Sequence, residues 1–288
     1  MRIECEKNNI VLYEVADFNL AHIFECGQCF RWNKQSDGSF TGVAKNKFLK
    51  ISEDNDGKIV FHNTTKAEFD EIWYSYFDFN TDYSKIKSQL EQDKILKEAI
   101  PFGSGIRILK QDLWETVVSF IISASNNIPR IKKIVELLCE NFGEKRSCST
   151  GYYYTFPGFK VISSLTLEEL SVIRAGFRDK YILSAAKMFS SGEISEEVLY
   201  SLDTKKAKEL LMSIPGIGNK VSDCILLFGL SKTDTFPIDV WVKRIMETLY
   251  FKGNASNIKI EEFATENFGD LKGIAQQYLF FYARENLH

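Results

Sequence analysis

Long apolar segments are missing from this sequence of 288 residues, in which no run approaches the ~18 residues that a membrane-spanning helix needs. The first residues, MRIECEKNN, lack the apolar stretch of a signal peptide. There is also no low-complexity segment and no repeat with a period of about 20–50 residues. Hydrophobic residues make up 44% of the chain and aromatic residues 14%, which is typical of a globular protein. We therefore expect a cytoplasmic protein with no membrane partner.

The spacing that metal ions require is missing as well. The six cysteines are scattered, and Cys26 and Cys29 form the only C-x-x-C pair. The three histidines, His22, His62 and His288, have no ligand spacing, so a zinc site is not expected. Scattered cysteines in a chain of this kind indicate a reducing compartment in which the thiols stay free.

Neither sign of charge is in large excess, since 36 Lys and Arg residues oppose 39 Asp and Glu residues, for a net charge of -3. Taken over the whole chain, this balance does not favour a nucleic-acid partner, but phosphate binding depends on local patches. Residues 204–244 carry seven basic side chains against four acidic ones. Smaller basic clusters, each of which is also compatible with a solvated face, are Arg107/Lys110, Arg130/Lys132/Lys133 and Arg178/Lys180.

The pattern of hydrophobic residues changes near residues 80–95. Before this point, alternation in GSFTGVAKNKFLKIS (38–52) and KIVFHN (58–63) predicts antiparallel strands. After it, a periodicity of 3.6 residues predicts helices nearly to the end of the chain. No flexible linker separates the two parts. We therefore predict an α+β protein with two tightly packed modules, a β-rich domain at 1–95 and a helical region at 96–288.

The most informative stretch is 205–244, KKAKELLMSIPGIGNKVSDCILLFGLSKTDTFPIDVWVKR. Helical periodicity breaks at PGIG (215–218) and resumes at Val221, which predicts two helices joined by a tight turn. Such a turn presents free N–H groups and the positive end of a helix dipole, which suit a phosphate oxygen. Lys220 gains nothing electrostatically beside that positive end, so its position there requires another reason. Asp239 precedes a further apolar run as an N-cap.

IPGIGNKVSDC and FPIDV resemble the helix-hairpin-helix and Gly-Pro-Asp signature of base-excision DNA glycosylases, the HhH-GPD superfamily. In that family, a lysine directly after the hairpin glycines marks the bifunctional branch, which removes a base and also nicks the strand. The resemblance implies an N-terminal antiparallel domain like that of TATA-binding protein, followed by the mostly helical HhH-GPD region. Within this region the hairpin is expected at 205–230 and the catalytic Asp segment at 235–244.

The resemblance also implies the partners of the protein. These are double-stranded DNA containing an oxidised guanine, no membrane and no second subunit, so that the protein acts as a monomer, associated with the nucleoid in a prokaryote. Some family members hold an iron–sulfur cluster on four closely spaced cysteines near the C-terminus, but nothing after Cys224 supplies one. No metal or other cofactor is therefore expected, apart from a possible monovalent cation at the hairpin.

The resemblance assigns the chemistry to two residues. Base removal needs a nucleophile at the sugar C1′, implied to be Lys220, and stabilisation of positive charge on the sugar, implied for Asp239. Attack by a neutral amine leads to a Schiff base, from which β-elimination nicks the strand. The backbone N–H groups of Gly216 and Gly218 are implied to bind the adjacent phosphate. From the residues alone, Asp239 is also explained as a simple N-cap, and the two roles are compatible.

The implied base pocket combines three further segments. ECGQCFRW (25–32) resembles a run in the 8-oxoguanine branch, in which a glycine carbonyl, here that of Gly27, accepts a hydrogen bond from N7–H of the oxidised base. Guanine has a lone pair at N7, so this carbonyl rejects it. Gln276 is implied to bind the Watson–Crick edge, while Phe280 and Cys224 close the two faces of the base. Without the resemblance, Gly27 is a turn residue, and Phe280 and Cys224 are core residues.

The loop SASNNIPRI (123–131) matches the Asn-Asn-x-x-Arg pattern of the family at Asn126, Asn127 and Arg130. This match implies contacts with the base left opposite the lesion, although both asparagines are also good turn and cap residues. Ser125 departs from the asparagine of the eukaryotic branch, and its side chain is too short to reach an estranged cytosine. We therefore expect weak discrimination between cytosine and adenine opposite the lesion.

Gly176-Phe177-Arg178 resembles the Gly-Tyr-Arg wedge of the same branch. Phe177 is implied to insert beside the gap in the duplex, and Arg178 to donate hydrogen bonds to the orphaned base. The alternative reading of the same residues is a helix C-cap at Gly176 followed by a core phenylalanine.

Val240 and Trp241, which begin the helix after Asp239, are also implied DNA contacts. Trp241 replaces the histidine that is more usual in the family at a phosphate, so Lys243 or Arg244 would supply part of that contact. Two other functions remain open. A monofunctional alkylbase glycosylase has a similar hairpin and sheet but typically lacks the catalytic lysine. A non-catalytic DNA-binding module uses the hairpin alone and leaves Asp239 unexplained.

Overall fold

The computed structural model describes residues 1–54 and 56–286, and its N-terminal part contains a six-stranded sheet. The strands are β1 (Arg2–Glu6), β2 (Asn9–Tyr13), β3 (Trp32–Lys34), β4 (Phe40–Ala44), β5 (Lys47–Glu53) and β6 (Ile59–His62). They pair antiparallel in the order β1-β2-β6-β5-β4-β3. Lys45 and Asn46, which join β4 to β5, both have positive φ, at 49° and 58°. Two central residues at positive φ are characteristic of a type I′ hairpin turn.

One face of the sheet is covered by helical segments rich in aromatic residues. The register places Leu49 and Ile51 on the same face of β5, and both are fully buried. Trp32 and Trp73 are buried against each other in the same core, and the Trp32 indole N–H donates to the Tyr76 hydroxyl at 2.8 Å. Alternating side chains of the strands therefore form a complete hydrophobic core of their own.

The helices account for most of the remaining chain. The first three are α1 (Leu20–Phe24), α2 (Lys66–Glu68) and α3 (Tyr74–Tyr76), the last two being joined by a π-helical turn at Phe69–Trp73. The others are α4 (Tyr83–Leu90), α5 (Lys94–Ala99), α6 (Leu113–Ser123), α7 (Ile128–Phe142), α8 (Phe159–Ser163), α9 (Leu167–Leu170), α10 (Asp179–Ser191), α11 (Glu196–Ser201), α12 (Thr204–Met212), α13 (Asn219–Gly229), α14 (Val240–Ile245), α15 (Asn257–Phe268) and α16 (Lys272–Asn286).

Side-chain caps fix where several of these helices begin. Asp112 accepts a hydrogen bond from the Glu115 N–H at the start of α6, and Asn127 does the same for Arg130 at the start of α7. Thr166 forms a capping box at the start of α9. Each cap binds an N–H group that has no partner inside its helix.

The helices share a second core, in which α13 packs against α6 and α12, and α14 packs against α16. Lys220 on α13 and Gln276 on α16 line one cavity within this helical region. The predicted fold class, an antiparallel N-terminal sheet followed by a helical region, is confirmed. The predicted division at residue 95 stays a prediction.

One element of the helical region was not predicted. Residues 145–154 form a hairpin of two strands, β7 (Lys145–Cys148) and β8 (Gly151–Tyr154), between α7 and α8. The hairpin is short and largely exposed, so it lacks the apolar alternation that marks a half-buried strand.

Arg107 ties the two cores together. Its guanidinium is buried and donates hydrogen bonds to the backbone carbonyls of Asp17, Asp78 and Ala16.

No helix among the described residues is long and apolar enough to cross a membrane.

Candidate active site

The turn between α12 and α13 has the backbone of a helical hairpin. Gly216 has a φ of 90°, which side-chain-bearing residues rarely adopt, and a Cβ built on it would lie 2.5 Å from the Tyr181 ring. Gly218 is the N-cap of α13 and provides no side-chain hydrogen bond to the first turn. The N–H groups of that turn therefore face outward without a side-chain cap, as a bound anion requires.

Lys220 lies in the first turn of α13 and points into a small cavity. Its Nζ is 5.3 Å from the centroid of the Phe120 ring, which α6 supplies. Cys224, one turn later, is buried and lines the same cavity. Burial raises the pKa of the Cys224 thiol to about 11, although the nearby Lys220 amine opposes this rise. The sulfur is therefore a neutral thiol at pH 7 and offers an apolar, polarisable surface.

Asp239 is the N-cap of α14, as its position in the sequence predicted. Its Oδ1 accepts hydrogen bonds from the N–H groups of Trp241 (3.0 Å) and Val242 (2.8 Å). Burial raises the pKa of this carboxyl, while the Val242 N–H and the charge of Lys220 oppose the rise. The carboxyl and the amine thus interact electrostatically across the cavity.

A buried polar cluster holds the elements that carry these two residues. Asp223 on α13 is 5% exposed and forms an ion pair with Lys208 on α12, with Nζ and Oδ1 2.7 Å apart. The same oxygen accepts a hydrogen bond from the Thr235 hydroxyl at 2.8 Å. Burial raises the pKa of Asp223, whereas the charge of Lys208 lowers it. Asp223 therefore connects both hairpin helices to the segment that leads to Asp239.

The N-terminal segment reaches the cavity through Gly27. This residue has a φ of 79°, and a Cβ built on it would lie 3.4 Å from the Phe280 ring. The next side chain, that of Gln28, is completely buried and donates hydrogen bonds to the carbonyls of Ile23 (2.9 Å) and Arg107 (2.8 Å). Its amide oxygen accepts from the Leu109 N–H at 2.9 Å. A fully bonded amide at this position holds the Gly27 backbone rigidly beside the cavity.

The C-terminal helix α16 forms the opposite wall. Gln276 and Gln277 are both 3% exposed, and Phe280 is half-buried. The Gln277 Nε2 donates to the Gln276 Oε1 at 2.8 Å. The Gln277 Oε1 is buried and has no hydrogen-bond partner among the described residues. An unpaired buried amide oxygen requires an explanation.

Together these residues enclose a cavity of about 60 Å³. Six residues predicted from the sequence line it, from four separate parts of the chain: Gly27, Lys220, Cys224, Asp239, Gln276 and Phe280. Ligand pockets for small molecules typically measure about 300–1,000 Å³, so this cavity is much smaller than a typical ligand pocket. The Phe280 ring lies next to the Gly27 backbone at its wall.

A larger cavity of about 660 Å³ lies between α7, the β3–β4 edge of the sheet and the β7–β8 hairpin. Arg31, Lys132 and Tyr154 are among its lining residues, but neither Lys220 nor Asp239 lines it. Volume alone therefore does not locate the active site. The smaller cavity is the better candidate because it contains the groups that can perform the chemistry.

The loop before α7 is exposed at the positions predicted to touch DNA. Asn127 and Arg130 are exposed, and Asn127 also caps α7. Asn126 is half-buried, and its side-chain amide donates to the Ile122 carbonyl at 3.0 Å. Ser125 is exposed with a φ of 50°, in the left-handed region. The two predicted cap roles are thus present, and they leave the exposed side chains accessible to a partner.

Residues 176–178, for which the resemblance implies a wedge, do not form the helix C-cap and core phenylalanine of the alternative interpretation. Gly176 begins a 3₁₀ turn, not the end of a helix, and Phe177 is 58% exposed, so it is not a core residue. Arg178 is 3% exposed and donates to the carbonyls of Ala124, Ser125 and Ala175. Four of its five N–H donors are used in this way, so in this state Arg178 braces the Ser125 loop.

The predicted contacts after Asp239 lie at the surface. Val240 is 77% exposed, an unusual position for an apolar side chain at the start of a helix. Trp241 is half-buried, and the Arg244 guanidinium lies 5.1 Å from the centroid of its ring. The role of both residues in DNA binding stays a prediction.

Some residues of the cavity were missed from the sequence. Phe120, Pro237 and Gln277 line it, and Gln28 and Asp223 support its walls. Gln28 and Asp223 lie inside the two quoted motifs, and a polar residue within each motif was the signal that could have identified them. Gln277 gave no such signal, because a helical residue next to a predicted one normally faces elsewhere. Phe120 gave no signal either. Among the described residues, no group of three or more His, Cys, Asp or Glu side chains is arranged to hold a metal ion.

A glycine hairpin, a lysine directed into a cavity and a capping aspartate at the cavity wall define the class of helix-hairpin-helix DNA glycosylases. Residues 118–269 match the family model described as HhH-GPD superfamily base excision DNA repair protein. Residues 10–117 match the family model described as 8-oxoguanine DNA glycosylase, N-terminal domain. The chain therefore belongs to the HhH-GPD superfamily, in the branch defined by the N-terminal domain of 8-oxoguanine DNA glycosylase.

Individual proteins agree with this assignment. A structure of Clostridium acetobutylicum 8-oxoguanine glycosylase/lyase with double-stranded DNA containing cytosine opposite 8-oxoguanine is 41% identical, with a TM-score of 0.96, and the match covers 99% of this chain and 98% of that one. The N-glycosylase/DNA lyase of Saccharomyces cerevisiae is 30% identical over 83% of this chain and 70% of its own. A probable N-glycosylase/DNA lyase of Methanothermobacter thermautotrophicus is 30% identical over 73% of each chain.

Proposed function

We infer that this protein is a bifunctional DNA glycosylase and AP lyase that excises 8-oxoguanine from double-stranded DNA and then nicks the strand. The observation that carries this conclusion is the single cavity lined by Lys220, Asp239 and Gln276. The family and the glycosylase/lyase relatives support it. Both alternatives explain less, because neither gives a reason for a lysine that lines one cavity with Asp239 and Gln276.

The lesion must leave the duplex to reach this cavity, since a stacked base is inaccessible. Extrusion costs about a few kcal/mol in lost stacking and pairing. We propose that the exposed Phe177 and the loop carrying Asn127 and Arg130 occupy the gap that the lesion leaves. The N–H groups of the first turn of α13 bind the neighbouring phosphate, which fixes the sugar next to Lys220.

In the proposed reaction, the Lys220 amine attacks C1′ of the extruded nucleoside. The C1′–N9 bond breaks, and its electron pair leaves with the base, which takes up a proton. The resulting amine adduct opens to a Schiff base between Nζ and C1′, with the sugar ring oxygen released as a hydroxyl. Loss of a proton from C2′ then expels the 3′ phosphate, which is the β-elimination that nicks the strand.

In this proposal, Asp239 assists both the activation of Lys220 and the breaking of the C1′–N9 bond. Its carboxylate stabilises positive charge on the sugar as the C1′–N9 bond breaks. Its interaction with Lys220 also allows it to accept a proton from the ammonium form, which must become neutral before it attacks. Since burial raises the pKa of Asp239, the carboxyl is a stronger base than an exposed aspartate.

Selection of the lesion is proposed to come from Gly27 and Gln276. Gln276 can bind the Watson–Crick edge of guanine and of 8-oxoguanine alike, because oxidation leaves that edge unchanged. A fixed carbonyl at Gly27 distinguishes them at N7, which donates in the lesion and accepts in guanine. The Gln28 hydrogen bonds give this carbonyl the rigidity that discrimination needs, since a mobile one would turn away from the lone pair.

The proposed chemistry uses side chains of this protein and no cofactor, and a monovalent cation at the hairpin stays a prediction. We also propose that the protein acts as a monomer and works at the chromosome, in the nucleoid if its source is a prokaryote. The proposed location follows from its DNA partner.

The test is single-turnover excision from duplexes containing either 8-oxoguanine or an alkylated purine. The wild-type protein is expected to release 8-oxoguanine and leave the alkylated base. Lys220→Gln should abolish release, whereas Lys205→Gln, which changes an exposed lysine on α12, should retain it. Release of the alkylated base alone would show that the protein is an alkylbase glycosylase. Release of neither base would favour the non-catalytic DNA-binding module.

A further inference from the structure

Two neighbouring glutamines meet in the base cavity, although consecutive residues of a helix normally point about 100° apart. Gln276 and Gln277 on α16 are both nearly completely buried, and both line the cavity that contains Lys220. The Gln277 Nε2 donates to the Gln276 Oε1 at 2.8 Å, which fixes the relative orientation of the two amides.

The other end of Gln277 is unexplained by the folded chain. Its Oε1 is buried and has no hydrogen-bond partner among the described residues. A buried acceptor without a donor is destabilising, and each one in a native protein calls for an explanation. Because Gln277 lines the base cavity, a donor on a base bound there is a chemically suitable partner for this oxygen.

The pair carries two amide oxygens that can accept further hydrogen bonds. Gln277 Oε1 has no donor among the described residues, and Gln276 Oε1 keeps one lone pair after accepting from Gln277. A guanine-type Watson–Crick edge offers two adjacent donors, N1–H and the 2-amino group. An adenine-type edge offers an acceptor at N1 and only C–H at position 2. The acceptor pair thus matches the guanine edge and opposes the adenine edge.

We propose that Gln277 is a second specificity-determining residue, whose Oε1 accepts a hydrogen bond from the 2-amino group of the extruded 8-oxoguanine. Gln276 then binds N1–H, and the Gln277 amide N–H group holds it in place. This inference rests on the proposed function, since it assumes that an oxidised guanine occupies the cavity.

The test varies the base and the residue together. 8-Oxohypoxanthine keeps N1–H, O6 and the oxidised imidazole ring of 8-oxoguanine but lacks the 2-amino group. The wild-type protein is expected to excise 8-oxoguanine about tenfold to a hundredfold faster under single-turnover conditions. In Gln277→Met this ratio should fall to within about threefold of unity, mainly through slower release of 8-oxoguanine, because the side chain keeps its length and loses its acceptor.

Two matched variants separate this role from a structural one. Gln276→Met, the same change at the adjacent residue, should slow excision of both bases because both carry N1–H. Gln277→Glu keeps an oxygen acceptor at the same reach but loses the N–H group that holds Gln276, so it should slow excision of both bases and still prefer the base with the 2-amino group. Cleavage of DNA with a preformed abasic site requires no base, so this reaction serves in Gln277→Met as a check that the variant is folded and that Lys220 still reacts.

Equal loss on both bases in Gln277→Met would show that Gln277 only positions Gln276 and would overturn the proposal. So would equal rates for the two bases in the wild-type protein, a comparison that remains decisive if Gln277→Met fails to fold. Failure of the wild-type protein to release 8-oxoguanine at all would instead contradict the proposed function. The two failures are therefore distinguishable.

Discussion

Replacing Asp223 by asparagine should destabilise the hairpin on which the proposed active site depends. Asp223 accepts hydrogen bonds from Thr235 and pairs with Lys208, so one carboxylate joins α12, α13 and the segment before Asp239. Asparagine can still accept from the Thr235 hydroxyl. It cannot neutralise Lys208, whose remaining acidic neighbour is Glu261 at 3.8 Å.

The size of the effect follows from the burial of the pair. Removing one partner of a fully buried ion pair typically costs about 3–5 kcal/mol. The side chain of Lys208 is 18% exposed and that of Asp223 is 7% exposed, and Glu261 remains within reach of the lysine. We therefore expect a smaller loss in the free energy of unfolding, about 2–3 kcal/mol. For a chain of this length that lowers Tm by about 3–5 °C.

The assay is thermal and urea unfolding of the single variants and of the double variant Asp223→Asn/Lys208→Met. Removing both charges should restore at least half of the lost stability, because no unpaired ion remains. Lys206→Met serves as the control, since its ion pair with Asp203 is exposed and should be worth less than about 1 kcal/mol. The role given to Asp223 is wrong if Asp223→Asn lowers stability no more than Lys206→Met, or if the double variant is no more stable than Asp223→Asn.

Three further predictions concern the turn, a buried acid and the orphan base. Gly216→Ala should lower both Tm and DNA affinity, since it places an L residue at φ 90° against the Tyr181 ring. Gly218→Ala, with open space around the new Cβ, should keep Tm and weaken binding to damaged and undamaged duplex alike. Burial raises the pKa of Glu115 from 4.5 to about 7, so its carboxyl should contribute about 3 kcal/mol of stability at pH 4 that is lost as the pH rises through 7. In Glu115→Gln, that part of the pH dependence of the free energy of unfolding in urea should vanish. An unchanged dependence on pH would contradict the assignment. Ser125→Asn, which suits the left-handed backbone there, should raise the cytosine-over-adenine excision ratio about tenfold, and a wild-type ratio above about a thousandfold would show that a serine suffices.

The parts of the site that the sequence revealed are those that local chemistry fixes. PGIG needs glycine at a positive φ, and Asp239 caps a helix, so each is recognisable within a few residues. The resemblance to glycosylases then joined this hairpin to Gly27 and Gln276, which are distant in the sequence. The structure places all of them around one cavity, although their individual roles stay predictions until tested.

What the sequence could not show depends on long-range packing. Gln277 faces the cavity only because of the way α16 packs within the helical core, and helical periodicity would have directed it elsewhere. The buried state of Arg178 depends on carbonyls about 54 residues away in the chain, so the sequence could not show that it braces a loop. The position of Phe280 next to Gly27 likewise depends on packing between segments that are about 250 residues apart in the chain.

The central claim, that Lys220 forms a covalent bond with the sugar of the damaged nucleotide, is tested most directly by trapping. Borohydride reduces the Schiff base to a stable amine, and mass spectrometry of the digested complex locates the modified lysine. With an 8-oxoguanine duplex, we expect a single adduct on the peptide that contains Lys220, and none in Lys220→Gln. An adduct on another lysine of the wild-type protein, or a trapped complex in Lys220→Gln, would contradict it.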